Sequence, residues 1–159
     1  EPSEVRAAES ALMRRVNDEI AKARDALRDS DFPPDLDYVA HNGRNFDFPI
    51  LRLRAIRDKL PLRHWLPYSS RHGTIHSGVD TMHLAQGTAR GSRAGGYGLD
   101  ALAEFFGVEG KQGMSGADVY PAWLDGQHSK VSRNCARDVQ TLRHVHFAMI
   151  GVTPEEYGS

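Results

Sequence analysis

The first 60 residues alternate between helical and strand-like hydrophobic patterns. Tyr38-Val39-Ala40-His41 is rich in strand formers and is followed at once by Asn42-Gly43, which predicts a buried strand ending in a tight turn. Before it, Phe32-Pro33-Pro34 ends a helix, because proline cannot continue one. The apolar residues of this first helix recur every three or four positions and predict one buried stripe: Val5, Ala8, Leu12, Val16, Ile20, Ala23 and Leu27.

A second helix and a second strand follow. The helix is predicted to begin near Phe46 and to close at Leu60-Pro61. Residues 74–79 predict a second strand, which runs into Asp80 and a short helix through Ala85. The buried face of the second helix is predicted to carry Phe46, Ile50, Leu53, Ile56 and Leu60.

The last 60 residues show helical patterns only. We predict short helices over Leu99–Phe106, with Gly107 as the stop, and over Ala117–Leu124. A long helix should run from about Ser129 to Ile150, with Val131, Cys135, Val139, Leu142, Val145 and Met149 facing inward. The element order indicates an α/β protein. Two short strands make a poor sheet, so we expect residues 1–159 to be one domain whose first strands precede residue 1.

The amino-acid composition favours some classes of protein for this chain and excludes others. At 159 residues, 40% hydrophobic and 26% charged, the chain suits one globular domain. A single cysteine, Cys135, excludes an internal disulfide and favours a reducing compartment such as the cytoplasm. No apolar run is long enough to span a membrane. A formal net charge of −1 argues against a histone-like binder but allows an enzyme with one local basic groove.

Two aspartates lie where a carboxylate needs a partner. Asp138 falls at the margin of the apolar stripe of the last helix, and Asp47 falls in the first turn of the second helix. A carboxylate at such a position must be hydrogen-bonded, paired or bound to a metal, since burying an isolated charge is costly. Considered alone, Asp47 could simply be a first-turn acid whose negative charge interacts favourably with the helix dipole. Asp138 could equally pair with Arg137 or Arg143.

The residues around these aspartates resemble two motifs of the DEDD, or DnaQ-like, exonuclease superfamily. Residues 42–47, N-G-R-N-F-D, resemble the second motif, and residues 134–138, N-C-A-R-D, resemble the third. The resemblance is closer to one branch, the predicted 3′–5′ exonucleases related to the proofreading domain of family B DNA polymerases. It extends over residues 39–150, with matched blocks at 39–55, Asp80, 99–111, 115–126 and 135–142.

This resemblance implies an α/β, RNase H-like fold and hydrolysis of phosphodiester bonds at the 3′ end of single-stranded DNA or RNA, with DNA favoured. It implies two Mg²⁺ or Mn²⁺ ions, with Asp47 and Asp138 as two of four acidic catalytic ligands. The implied nucleic-acid contacts are Asn42, Arg44, Phe46, Lys111 and Asn134. Lys111 could equally be an exposed loop lysine, and the sequence identifies no protein partner.

Two departures from the family pattern put activity in question. The first motif, Asp-x-Glu, does not occur in the 159 residues, and we expect it on a strand before residue 1. Asn134 stands where the family has a Tyr that orients or deprotonates water, and an amide cannot accept that proton. The alternative is therefore a catalytically inactive module that keeps the fold for nucleic-acid binding or assembly.

Two further features carry little chemistry. The eight histidines show no spacing typical of a zinc site. Residues 87–98 hold five glycines and two arginines, which indicates a mobile surface insertion or, alternatively, an arginine-bearing flap over a nucleic-acid strand.

Overall fold

The computed structural model describes residues 2–27, 38–61, 66, 78–87, 96–110 and 113–153. The chain forms two compact units, Glu1–Asp80 and Thr81–Ser159. Four of the predictions above lie outside the described residues: the proline end of the first helix, the start of the second strand, most of the glycine-rich segment, and Lys111.

The first unit contains two helices and two strands in its described part. Helix α1 spans Pro2–Leu27 and helix α2 spans Asp47–Arg57. Strand β1, Tyr38–Ala40, pairs in parallel with β2, Gly78–Asp80, so that Ala40 lies beside Asp80. The predicted strand-turn-helix order is confirmed. Two parallel strands do not identify the RNase H-like fold, which remains a prediction.

The core of the first unit shows that the predicted helix faces were partly wrong. Its centre is Met13, Ala55 and Leu66, against which Val16, Ile20, Tyr38, Leu51 and Leu60 pack. In α1 the buried position is Met13, whereas Val5 and Leu12 are exposed. In α2 the buried residues are Phe48 and Ala55, whereas Phe46, Leu53 and Ile56 are exposed. Both helices offer apolar residues on adjoining faces, and the partner surface selects which face is buried.

An ionic cluster joins α1 to α2. The Glu9 carboxylate accepts hydrogen bonds from Arg54 and from Arg57, the latter at 2.6 Å from Nη1 to Oε2. Arg57 also donates to Asp58, at 2.8 Å from Nε to Oδ1. The bonds from Arg57 and Arg54 lower the pKa of Glu9, and the bond from Arg57 lowers that of Asp58. The cluster therefore stabilises the first unit at pH values above the ordinary carboxyl pKa. This stabilisation is lost as pH falls through the lowered pKa values of Glu9 and Asp58.

The end of α2 places a lysine in a conformation that favours glycine. Lys59 has φ +56°. Its amide donates to the Ile56 carbonyl at 3.1 Å, and the Leu60 amide donates to the Ala55 carbonyl at 2.9 Å, which together form a Schellman motif. A left-handed conformation costs a side-chain-bearing residue roughly 1–2 kcal/mol.

We predict that Lys59→Gly stabilises the first unit by about 1 kcal/mol, because glycine adopts this conformation without the steric cost. Urea denaturation measures the change. The matched control is Lys22→Gly, in the interior of α1, which should cost about 1 kcal/mol. A lower midpoint for Lys59→Gly would show that the lysine side chain contributes more than its backbone strain.

The second unit consists of helices in its described part: α3 (Thr81–Gln86), α4 (Leu99–Phe106), α5 (Gly116–Leu124) and α6 (His128–Ile150). Most of these helix ends lie within one residue of the predicted ends. Gly107 ends α4 in the left-handed conformation, at φ +66°, as expected. The core comprises Leu102, Ala103 and Val145, packed by Ala85, Leu99, Phe106, Val108 and Met149.

The buried face of α6 is more polar than its sequence suggested. Its buried residues are Asn134, Thr141 and Val145, whereas Cys135 and Val139 are exposed, contrary to the prediction. The two polar residues are buried because each bonds a neighbouring backbone. Asn134 Oδ1 accepts from the Met114 amide at 3.1 Å, and Thr141 Oγ1 donates to the Glu109 carbonyl at 3.3 Å. Among the described helices, none is both long and apolar enough to cross a membrane.

Candidate active site

In the first unit, Asp80 organises the turn between β1 and α2. It is the last residue of β2 and only 5% exposed. Its Oδ1 accepts from the Asn42 amide at 2.9 Å, and its Oδ2 accepts from the Arg44 amide at 3.0 Å. Because parallel strands end at the same edge, the β2 carboxylate reaches the loop that leaves β1. The turn holding Asn42 and Arg44 is thus fixed from a strand 38 residues away.

The conformation of this turn explains Asn42 and Gly43. Asn42 has φ +61°, a region that asparagine tolerates better than most residues. Its Oδ1 accepts from Asn45 Nδ2 at 2.9 Å, so the side chain supports the turn. Gly43 is buried, and a Cβ there would lie 2.4 Å from the Ala40 Cβ. Any side chain at Gly43 would therefore displace the backbone that carries the candidate site.

Asp47 is the first residue of α2, as predicted, and is half-buried. Burial raises its pKa, and the charge of Asp80 raises it further, while the Asp47 backbone N–H opposes this shift. The ionised carboxylate is therefore held in a surrounding that disfavours its charge. A bound cation would compensate that cost directly.

Phe46 and Arg44 belong to the same turn and differ in exposure. Phe46 is the N-cap residue of α2 and is 62% exposed, so the prediction that it faces the core was wrong. An exposed aromatic ring can offer its face to a sugar or base. Arg44 is half-buried, and its backbone amide is held by Asp80.

In the second unit, Asp138 lies on the buried face of α6 with Asn134 one turn before it. Asn134 is 7% exposed, and its Nδ2 donates to Asp138 Oδ2 at 3.5 Å. Since its Oδ1 accepts the Met114 amide, Asn134 joins Asp138 to the segment that enters α5. Gly113, next to Met114, has φ +136°, and a Cβ there would lie 3.2 Å from Asn134 Oδ1. Asn134 thus acts as a positioning residue within this unit.

We predict that Asn134→Ala destabilises the second unit by about 2 kcal/mol, because it leaves the buried Met114 amide without its acceptor. Thermal unfolding followed by circular dichroism measures the loss. Gln140→Ala, on the exposed side of the same helix, is the control and should change stability by less than about 0.5 kcal/mol. Equal effects of the two variants would mean that the amide bond contributes nothing specific.

The donor chemistry of Asp47 and Asp138 fits a hard divalent cation, which prefers carboxylate oxygens. They belong to different compact units. Within the described ranges, no group of three or more His, Cys, Asp or Glu side chains lies close enough to hold a metal ion.

In each unit, sequence reasoning missed residues that support the candidate aspartate. Asp80 was noted as part of a motif, but its two bonds to the turn were not foreseen. Gly43 and the acceptor role of Asn134 were also missed. The available signals were an aspartate ending one parallel strand and an Asn-Gly pair following the other, which together mark a turn at one sheet edge.

Comparison with known proteins gives one match. A family model described as a predicted 3′–5′ exonuclease related to the exonuclease domain of PolB matches residues 20–150. Neither the curated proteins nor the solved structures contain a match. The matched range contains the candidate residues described above in each of the two units.

Proposed function

Because the chain belongs to this family of predicted 3′–5′ exonucleases related to the exonuclease domain of PolB, we propose that it hydrolyses phosphodiester bonds at the 3′ end of single-stranded nucleic acid, with DNA favoured over RNA. The observation that carries the proposal is Asp47. This carboxylate is half-buried beside Asp80, on a turn fixed at the carboxyl edge of two parallel strands. Such an edge is where α/β proteins place ligands.

The proposed cofactor is a pair of Mg²⁺ or Mn²⁺ ions, with Asp47 and Asp138 as two of the ligands. Bound there, the ions would supply an activated water and charge stabilisation for the leaving oxygen. Exposed Phe46 would contact the terminal nucleotide, with Asn42, Arg44 and Lys111 as the other proposed nucleic-acid contacts. Asn134, which the sequence also suggested as a contact, is buried with both polar amide atoms engaged and is a positioning residue instead.

One observation favours a second candidate function. Both polar atoms of the Asn134 amide are engaged, one by Met114 and one by Asp138. A side chain held in this way, and unable to take a proton, cannot act as the base that activates water. A module that binds nucleic acid without cutting it is therefore the alternative.

The test uses the complete protein that contains this chain, with single-stranded DNA and RNA labelled at the 5′ end and Mn²⁺ present. Stepwise shortening from the 3′ end that is lost in Asp47→Ala and in Asp138→Ala would support the exonuclease. Unchanged oligonucleotides, with binding retained, would support the binding module. Shortening that survives both substitutions would exclude these two residues from the reaction.

A further inference from the structure

Helix α6 carries an unusual share of the positive charge. The chain as a whole is balanced, with 20 Lys and Arg against 21 Asp and Glu. Helix α6 instead has four, Lys130, Arg133, Arg137 and Arg143, against the single acid Asp138. The local excess lies on the helix that presents Asp138. A balanced protein with one basic helix can still attract a polyanion to that helix.

Part of this charge forms one edge of the helix. At 3.6 residues per turn, Arg133, Arg137, Gln140 and His144 fall within an arc of about 60°. We call these four residues the basic edge. The two arginines and Gln140 are exposed, and His144 is half-buried. Lys130 is not included, because its charge also acts on Asp118, whose pKa is lowered chiefly by the hydrogen bonds from Ser115 and to a smaller extent by Lys130.

A groove runs beside the basic edge. Its volume is about 340 Å³, and its lining comprises Glu109, Gly110, Arg137, Gln140, Thr141 and His144. Thr141 closes one side by bonding the Glu109 carbonyl, which fixes the wall of the groove. Along α6, Thr141 comes three residues after Asp138, and Asp138 itself does not line the groove. Glu109 is the one acid on the lining, and its side chain is exposed.

We propose that the basic edge and this groove bind the sugar-phosphate backbone of a single-stranded nucleic acid. The inference rests on the proposed function for the identity of the ligand. Guanidinium groups suit phosphate geometry, and the amide of Gln140 and a ring N–H of His144 add further hydrogen-bond donors. Helical spacing places the two arginines one turn apart, on successive turns of one face.

The test measures binding apart from hydrolysis. Fluorescence anisotropy of a 5′-labelled oligothymidylate with the complete protein in EDTA gives Kd over a series of salt concentrations. Arg133→Gln and Arg137→Gln should each weaken binding about fivefold at about 0.1 M salt and lower the salt slope by about 0.7. Circular dichroism checks that each variant is folded.

Two further variants test whether removing an acid tightens binding and whether the position of the arginine matters. Glu109→Gln removes the acid of the groove and should tighten binding severalfold. Arg143→Gln removes one positive charge from the same helix, but at a position about 90° around the helix from the centre of the basic edge. This variant should keep Kd within twofold of the value for the unaltered protein. Arg143 lies over the Phe147 ring, at 5.3 Å from the centroid.

The outcomes separate the two proposals. Equal weakening by Arg143→Gln and Arg137→Gln would overturn the basic edge, since net charge alone would then govern binding. Unchanged binding in the two edge variants would also overturn the basic edge. Absence of binding by the unaltered protein would overturn it too, even if hydrolysis with Mn²⁺ were observed. The expected binding pattern without any hydrolysis would retain the edge and refute the exonuclease.

Discussion

Asp47→Asn is expected to abolish hydrolysis and at the same time to stabilise the folded chain. The loss of activity should reach roughly a thousandfold, because a metal ligand contributes several kcal/mol to the transition state and each tenfold corresponds to about 1.4 kcal/mol. The gain in stability has a separate origin. Burial and the charge of Asp80 disfavour the ionised form of Asp47, and an amide of the same shape avoids that cost.

The pH dependence of the stability gain follows from the direction of the pKa shift. The pKa of Asp47 is raised in the folded protein, so the folded state binds the proton more tightly than the unfolded state. Unfolding free energy therefore falls as pH rises from the unfolded pKa, about 3.9, through the folded one. The advantage of Asp47→Asn should be complete at neutral pH and absent in stronger acid.

Thermal unfolding in EDTA, at neutral pH and in acid, measures this advantage apart from metal binding. The matched control is Asp100→Asn, an exposed aspartate in the first turn of α4. The negative charge of Asp100 interacts favourably with the positive end of the helix dipole. Removing that charge should therefore lower the stability by about 0.3–1 kcal/mol. Asp47→Asn with a lowered melting temperature at neutral pH and normal hydrolysis would contradict both the electrostatic argument and the catalytic role.

The sequence predicted helix ends better than helix faces, and the reason is physical. An end depends on local backbone chemistry, so Gly107 could be identified as the stop of α4 from its own neighbourhood. A face depends on the partner surface. Leu12 and Met13 are equally apolar, yet only Met13 meets Ala55 and Leu66. Hydrophobic period alone does not distinguish such adjoining positions.

The candidate site shows the same division between local and distant causes. The positions of Asn42 and Asp47, in the turn after a strand and the first turn of a helix, follow from nearby residues and were predicted. The support from Asp80 requires the pairing of two strands, which no local pattern reveals. The inward-facing set predicted for α6 left out Asn134 and Thr141 because hydropathy counts them as polar, whereas backbone partners satisfy them in the interior.

Asp80→Ala is expected to destabilise the first unit by about 3 kcal/mol. The substitution leaves the amides of Asn42 and Arg44 without their acceptor, and each bond to a carboxylate contributes about 1.5–3 kcal/mol. It also releases the left-handed turn at Asn42, so the placement of Asp47 should relax and hydrolysis should fall. Urea denaturation measures the stability, and hydrogen exchange at the Asn42 and Arg44 amides locates the change.

A graded comparison makes this last prediction specific to the two bonds. Asp80→Asn keeps one acceptor oxygen and should lose about half as much free energy as Asp80→Ala, with faster exchange at only one of the two amides. Asp100→Ala, a solvent-exposed aspartate, should lose less than about 1 kcal/mol. If Asp80→Ala left both amides protected, the turn would be held by its own local bonds, such as Asn45 to Asn42, and not from β2.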